Sequence, residues 1–265
     1  MRVAVCQLNS RDDRKANLAA AEAMLERAAA AGADLALLPE CVDYLGPTAG
    51  LPEPEPVDGE VGQFFAGVAR RLGVWLIAGS IRESGPDPAR AWNTSMVFDR
   101  SGALAASYRK IHLYDVEIPG RVSYLESATV APGDQPVVVD VEGLRVGLSI
   151  CYDLRFPELY RQLVIEGGAQ LLVVPAAFML YTGRDHWEVL LRARAIENQC
   201  FVAAAGQTGA HEPGRTCYGR SMVVDPWGTV LTQVPDGPGL AVADLDLDRL
   251  RTIRAELPSL ANRRL

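Results

Sequence analysis

Only three histidines occur in the 265 residues, His112, His186 and His211, and the five cysteines include no CxxC pair. No His, Cys or acidic cluster has the spacing of a metal site, so no metal is expected. Neither a P-loop nor a GxGxxG stretch is present, which removes the usual anchors of nucleotides, and no cofactor is expected. Every apolar run falls short of the roughly 18 residues that span a bilayer, so no membrane partner is expected. The first eight residues turn polar at Asn9 and read as a strand, not a secretion signal. Positive charge is also short, with 26 Lys and Arg against 33 Asp and Glu and a net charge of -7. That argues against nucleic acid, whose affinity comes mainly from cations on phosphates. An odd number of unpaired thiols excludes a disulfide framework and points to a reducing compartment, the cytoplasm. Cys6, Cys41 and Cys200 stand in apolar settings and read as small core residues.

What is there is an apolar fraction of 49% with 22% charged residues, enough to bury one large core or two small ones. Strand-length apolar runs at 3–8, 34–38, 74–79, 93–98, 104–108, 136–141, 144–150, 170–174, 201–205, 221–225, 229–234 and 239–244 alternate with helical spacing. The helical segments are 15–31, 60–72, 157–166, 184–198 and 247–256. Asp99-Arg-Ser-Gly102 between two strands is a hairpin signal. This alternation predicts an α/β fold, and the hairpins make its sheets mixed. The Pro-rich stretch 51–56 is short enough for a surface loop. No linker or repeat divides the chain, so residues 1–265 read as a single domain.

Three strands end on a reactive residue. Leu35-Ala-Leu-Leu-Pro-Glu40 carries a carboxylate, Ala105-Ala-Ser-Tyr-Arg-Lys110 an amine, and Leu148-Ser-Ile-Cys151 a thiol. Phe156-Pro-Glu158 opens a helix soon after Cys151, with Pro at the first helical position and an acid in the first turn. A cysteine on such a strand-to-helix turn has its sulfur pushed out of the core toward solvent, the logic of the serine elbow. Strand C-termini along one sheet edge are where α/β sites are built. If the three ends meet, Glu40 serves as general base toward the Cys151 thiol. Lys110 and the backbone N–H of Tyr152 would then stabilise the oxyanion formed by attack on an amide carbonyl, donors whose loss costs on the order of a hundredfold or more. Taken singly, each of the three also reads as a loop acid, a surface lysine or a core thiol.

Leu-Leu-Pro-Glu40, Tyr-Arg-Lys110-Ile-His-Leu-Tyr-Asp and Ile-Cys151-Tyr-Asp-Leu-Arg-Phe-Pro-Glu closely resemble the three signature blocks of the nitrilase superfamily of carbon–nitrogen hydrolases. The resemblance runs in order over 3–254. It implies a four-layer αββα sandwich of two mixed sheets, with Glu40 as base, Lys110 at the oxyanion and Cys151 as nucleophile. It also implies that Glu126, in Tyr124-Leu-Glu126-Ser, orients the lysine. An ammonium buried between two carboxylates stays charged, as an oxyanion site requires. The resemblance further implies at least a homodimer, packed through the helices near Cys151 and 184–198.

Later blocks, Pro175-Ala-Ala-Phe178, Thr182-Gly, His186-Trp-Glu-Val-Leu-Leu-Arg-Ala-Arg and Ser221-Met-Val-Val-Asp-Pro-Trp-Gly228, look like the Nit branch. That branch holds the deaminated glutathione amidases, which the chain resembles more, and the ω-amidases acting on α-ketoglutaramate. The resemblance thus implies a thiol-dependent amidase that hydrolyses a small ω-amide of a 2-oxo acid, through a Cys thioester, to carboxylate and ammonia. An ω-amidase on α-ketoglutaramate, a carbamoylase, a nitrilase, an acyltransferase whose thioester is captured by an amine, and a catalytically silent binding scaffold are the alternatives. A substrate carboxylate calls for a cation, and Arg155 is the nearest to the nucleophile; pairing of Arg155 with Glu158 is the competing reading. Phe178, Met179 and Thr182 follow a strand end and are candidates to line the pocket. His186 and Trp187 read as structural. Among the histidines, His112 stands two residues past Lys110, but Cys151 has a better base in Glu40 than a Cys–His pair would give.

Overall fold

The computed structural model describes residues 1–264 apart from 86, 88 and 121. The first half of the chain runs β1 (Arg2–Gln7), α1 (Arg14–Ala30), β2 (Leu35–Leu37), α2 (Glu60–Leu72), β3 (Trp75–Ile77), β4 (Ile81–Glu83), β5 (Ala91–Phe98), β6 (Leu104–Arg109), β7 (Asp115–Ile118), β8 (Val122–Leu125) and β9 (Val130–Ala131). The second half runs β10 (Val138–Val141), β11 (Leu144–Leu148), α3 (Pro157–Ile165), β12 (Leu171–Ala176), α4 (Leu180–Asn198), β13 (Phe201–Gly206), β14 (Thr208–His211), β15 (Arg215–Tyr218), β16 (Met222–Val224), β17 (Val230–Gln233), β18 (Gly239–Asp244) and α5 (Leu247–Glu256).

One sheet has the order β18-β1-β2-β3-β5-β4, with β6 and β9 also on β5; the other is β10-β11-β12-β13-β16-β17. Both are mixed: β1, β2 and β3 run parallel, as do β11, β12 and β13, while β18, β10 and β16 pair antiparallel. Successive side chains of a strand face opposite ways, and here both faces are apolar. Val3, Val5, Leu35 and Leu37 join the core shared with the second sheet. Ala4, Cys6, Ala36 and Leu38 face the other way, onto Ala21, Met24 and Leu25 of α1 and Val61, Phe65 and Val68 of α2. Leu159 and Leu163 of α3 and Trp187 and Leu191 of α4 cover the second sheet. The layers are therefore α, β, β, α, as the resemblance implies. Burial on both faces explains why these strands are continuous apolar runs in sequence.

Local signals account for the helix boundaries. The Asp13 carboxylate caps α1 by accepting from the Ala16 N–H at 3.0 Å. Gly73 ends α2 in the left-handed conformation, φ 65°. Pro157 is the first residue of α3. Helix α4 begins at Leu180, not 184. Its first turn contains Gly183, a poor helix former, retained because a Cβ there would lie 2.5 Å from the side chain of Tyr218.

Candidate active site

Glu40 stands three residues beyond the end of β2, Lys110 directly after β6, and Cys151 three residues after β11. Glu126 opens a single 3-10 turn, Glu126–Ala128, after β8. The chain near Glu40 is tightly packed: Gly79 (φ 65°) is required at the end of β3, where any Cβ would sit 2.0 Å from the Pro39 carbonyl oxygen. Gln207, directly after β13 of the second sheet, donates through Nε2 to the Glu40 carbonyl at 2.9 Å and so ties the ends of the two sheets together there.

These side chains converge. The Lys110 ammonium donates to Glu40 Oε1 at 2.9 Å and to Glu126 Oε1 and Oε2 at 3.0 and 2.8 Å. Asn93 of β5 donates to Glu40 Oε1 at 2.9 Å and Glu126 Oε1 at 3.2 Å. Backbone N–H groups complete both carboxylates, Ala177 to Glu40 Oε2 at 2.8 Å and Tyr114 to Glu126 Oε2 at 2.6 Å. Glu40, Lys110 and Glu126 are all buried, which such groups tolerate only when paired and hydrogen-bonded.

Cys151 opens the 3-10 turn Cys151–Arg155 with φ 47°, a left-handed backbone that a non-glycine residue adopts at a cost. The elbow is as expected, but the sulfur is not pushed to solvent: the residue is only 7% exposed. The cavity reaches the thiol, so the thiol need not leave the core. Burial pushes its pKa well up, the neighbouring Glu40 charge adds to this, and Lys110 opposes it; a hydrogen bond to Glu40 raises it further and the Ala177 N–H lowers it. Burial alone would lower the Lys110 pKa, but Glu126 and Glu40 reverse this and hold it well above the ordinary value. The site therefore holds a neutral thiol beside a charged ammonium.

Asp153 fixes the turn. Fully buried, it accepts from Tyr108 Oη at 2.8 Å, the His112 N–H at 3.0 Å and the Ile150 N–H at 2.9 Å, and it meets His112 Nδ1 at 2.8 Å. It thus links the strand end that carries Lys110 to the turn that carries Cys151. His112 is used in this link and stacks on Phe156 with ring centroids 3.7 Å apart. Sequence reasoning left Asp153, Asn93 and Tyr114 without roles; the one available signal was a polar side chain inside an apolar strand, Asn93.

The cluster forms the floor of a cavity of about 270 Å³. Arg155, Phe178, Met179, Thr182 and Tyr152 all line it. The guanidinium of Arg155 lies 5.1 Å from the Phe178 ring and its Nη1 is 3.3 Å from His186 Nδ1; no ion pair with Glu158 is found among the described residues. Trp187 is fully buried and donates to the Arg220 carbonyl at 2.9 Å, a structural role. Cys41, read from sequence as core, instead lines the cavity beside Glu40. Tyr124, His211 and Arg215 also line it, brought there by the hairpins β7–β8 and β14–β15.

Residues 2–255 match the family model for carbon–nitrogen hydrolases. The chain belongs to the carbon–nitrogen hydrolase family. It is 44% identical over 270 residues to the deaminated glutathione amidase of Homo sapiens, covering 99% of this chain and 82% of that protein. It is 40% identical over 264 residues to omega-amidase NIT2 of Mus musculus, covering 99% and 95%. Among solved structures, the C. elegans NitFhit protein superposes with a TM-score of 0.91 at 43% identity, covering 99% of this chain and 65% of that one. The chain thus spans about two thirds of that protein. As a member of this family it is a hydrolase of carbon–nitrogen bonds other than peptide bonds.

Proposed function

We propose that this carbon–nitrogen hydrolase is an amidase that cleaves the ω-amide of a small 2-oxo acid through a thioester on Cys151. The observation that carries the reading is the Lys110 ammonium held between Glu40 and Glu126 beside a buried thiol, on the floor of a cavity that Arg155 enters. Two carboxylates and one ammonium carry a net charge of −1. Losing the thiol proton to solvent would make that −2 in a dry site, whereas passing it to Glu40 leaves the charge unchanged. The proton therefore moves to Glu40 as sulfur attacks the carbonyl carbon.

The oxyanion that forms faces Lys110 and the Tyr152 N–H, one of the leading N–H groups of a turn that have no acceptor within it. Glu126 takes two of the ammonium's hydrogen bonds, so one of them can shift to the oxyanion while each carboxylate keeps a contact. Protonated Glu40 then gives its proton to the nitrogen as the C–N bond breaks. The nitrogen leaves as ammonia from a primary amide and as an amine from a substituted one. Water next attacks the thioester as Glu40 takes its proton; the C–S bond then breaks, the carboxylate product leaves, and Glu40 returns the proton to the sulfur to restore the thiol. Arg155 is suited to the carboxylate of the 2-oxo acid because it has a planar fork of donors and no carboxylate partner among the described residues. Phe178, Met179 and Thr182 pack the acyl chain.

Both named relatives' substrates share this acyl half. The decisive experiment compares hydrolysis of deaminated glutathione, α-ketoglutaramate, a carbamoyl amino acid and a simple nitrile by the unaltered chain and by Cys151→Ala. One of the two ω-amides is expected to be the best substrate, and Cys151→Ala to lose about 10⁴-fold or more while keeping its fold. Near-full turnover by Cys151→Ala sinks the nucleophile assignment; a nitrile or carbamoyl compound as best substrate sinks the substrate class. The exposed apolar side chains Val189 and Ile196 on α4, with Trp227, support assembly into a homodimer through that face, which sedimentation tests directly. Five unbridged cysteines support the cytoplasm as the compartment.

A further inference from the structure

The cavity holds more polar capacity than the reaction above uses. Tyr114 Oη, His211 Nε2 and Arg215 Nε are buried without a hydrogen-bond partner, and all three residues line this cavity. Buried polar atoms are nearly always paired, so three orphans on one cavity require a reason. Arg215 donates through Nη2 to the Gly46 carbonyl at 2.8 Å and lies 5.4 Å from the Tyr124 ring, with no carboxylate within ion-pair distance among the described residues. His211 meets the Ser10 carbonyl oxygen through Nδ1 at 2.8 Å. That nitrogen must carry the proton, which leaves Nε2 as an acceptor. Burial holds the ring's pKa below its ordinary value, despite the Ser10 bond, and nearby Arg11 and Arg215 act in the same direction. The ring is neutral at pH 7.

A row of three tyrosines links this group to the acyl end. Arg155 lies 5.8 Å from the Tyr152 ring, Tyr152 is 5.1 Å from Tyr114, Tyr114 is 6.0 Å from Tyr124, and Arg215 follows. The row thus ends in a guanidinium on each side. Arg155 belongs to the turn of Cys151. Arg215 belongs to the side of the carboxylates: it also lines a smaller adjoining cavity of about 80 Å³ together with Cys41 and Glu126. The neighbouring Cys217 has its pKa pushed up to about 12 by burial, with the Glu40 charge contributing. The group that protonates the leaving nitrogen is Glu40, so the departing half of the substrate lies toward Arg215.

We propose that Arg215 and His211 form a leaving-amine subsite, in which the guanidinium holds a carboxylate on the departing amine and His211 Nε2 accepts one of its N–H groups. This rests on the reading of Glu40, Lys110 and Cys151 given above and sharpens it. The preferred substrate is a substituted ω-amide whose amine half bears its own carboxylate, as cysteinylglycine does, and a primary amide leaves the subsite empty. A site built around a polar group discriminates against the analogue that lacks it.

The test has two arms. In the first, kcat/KM is measured for deaminated glutathione and α-ketoglutaramate with the unaltered chain, Arg215→Met and Arg215→Lys. A hydrogen-bonded charge contact of this kind corresponds to roughly 10- to 100-fold, so the ratio of the two values is expected to fall by that factor in Arg215→Met, with partial recovery in Arg215→Lys. An unchanged ratio overturns the subsite. In the second arm, S-methylcysteinylglycine, which has no thiol to consume the reagent, and its C-terminal amide are compared as protectants of Cys151 against iodoacetamide in the unaltered chain. Protection by the free acid at a concentration about tenfold below that needed for the amide supports the subsite, and equal potency overturns it. This arm needs neither turnover nor a folded variant. If the unaltered chain hydrolyses neither ω-amide, the proposed function fails, and the protection assay still decides the subsite.

Discussion

Among the described residues one cation lies between two carboxylates at Arg14, Arg71, Arg100 and Lys110, and two of these, one dry and one wet, make a comparison. Lys110 lies between Glu40 and Glu126, with side chains 2%, 5% and 8% exposed. Arg100, in the β5–β6 turn, lies between Asp34 and Glu142, 3.1 and 2.6 Å away, with side chains 36%, 40% and 46% exposed. In the wet triad, water solvates whatever the partners release, so each pair contributes about 0–1 kcal/mol. In the dry triad burial keeps bulk solvent from the charges. Every charge has to be met by a fixed donor, which is why Asn93, the Ala177 N–H and the Tyr114 N–H all converge on the two carboxylates. The same three charges that only decorate the surface determine, inside, which neighbouring group holds a proton.

The largest way to break this contrast is Lys110→Met. It leaves two buried carboxylates facing each other, and removing one partner of a buried ion pair costs about 3–5 kcal/mol. Denaturant midpoints should fall accordingly, and hydrolysis of the best ω-amide should fall by about 10²–10³-fold or more from the lost oxyanion contact alone. The Lys110 pKa is raised on folding. Its contribution is therefore complete below the ordinary lysine value and is lost only as pH rises through the higher folded value, so the wild-type advantage should stay flat across neutral pH. A variant as stable and active as the unaltered chain contradicts the triad's role.

Glu40→Gln separates thiol reactivity from catalysis. Glu40 raises the Cys151 pKa both by its charge and by its hydrogen bond. Removing the charge should move the pH of half-maximal Cys151 alkylation downward, although the thiol remains buried. At the same time turnover should fall by about 10²–10⁴-fold, the typical contribution of a general base. A more acidic thiol in a dead enzyme is the expected pair of results. Alkylation that shifts upward or stays unchanged means that Glu40 does not face the sulfur as described.

The Glu, Lys and Cys that converge on the cavity were legible because this fold places them at strand ends, where an apolar run stops abruptly. Their supports were not. Asn93 lies in an apolar strand, Asp153 lies within the nucleophile's own turn, and Tyr114 contributes only a backbone N–H; each matters through a contact 12 or more residues away. The hairpins β7–β8 and β14–β15 were missed because DVEI, VSYL, TGAH and RTCY lack the apolar runs by which the core strands were found. They cover the cavity and are not part of the core. One compositional clue was available: of the 26 basic side chains only Lys15 and Lys110 are lysines. In a chain that otherwise uses arginine for positive charge, a lysine at a strand end marks a place where a compact ammonium is needed in preference to a planar fork.

The smallest effect belongs to the wet triad. Arg100→Met removes contacts to Asp34 and Glu142 and the 2.7 Å hydrogen bond that Arg100 gives to the Gly73 carbonyl after α2. The two pairs together should cost at most about 2 kcal/mol, read as a small shift in denaturant midpoint at low salt and a smaller one at 1 M salt, where screening acts within about 3 Å. Glu142 has its pKa lowered, chiefly by the hydrogen bond from Arg100 and against the opposing effect of burial. The pair's contribution is thus present above the ordinary carboxylate range and is lost as pH falls through the lowered folded value. The difference between Arg100→Met and the unaltered chain should accordingly narrow in acid, with hydrolysis unchanged at neutral pH. A cost as large as that of Lys110→Met would mean that burial is not what separates the two triads, and that the hydrogen-bond count alone decides.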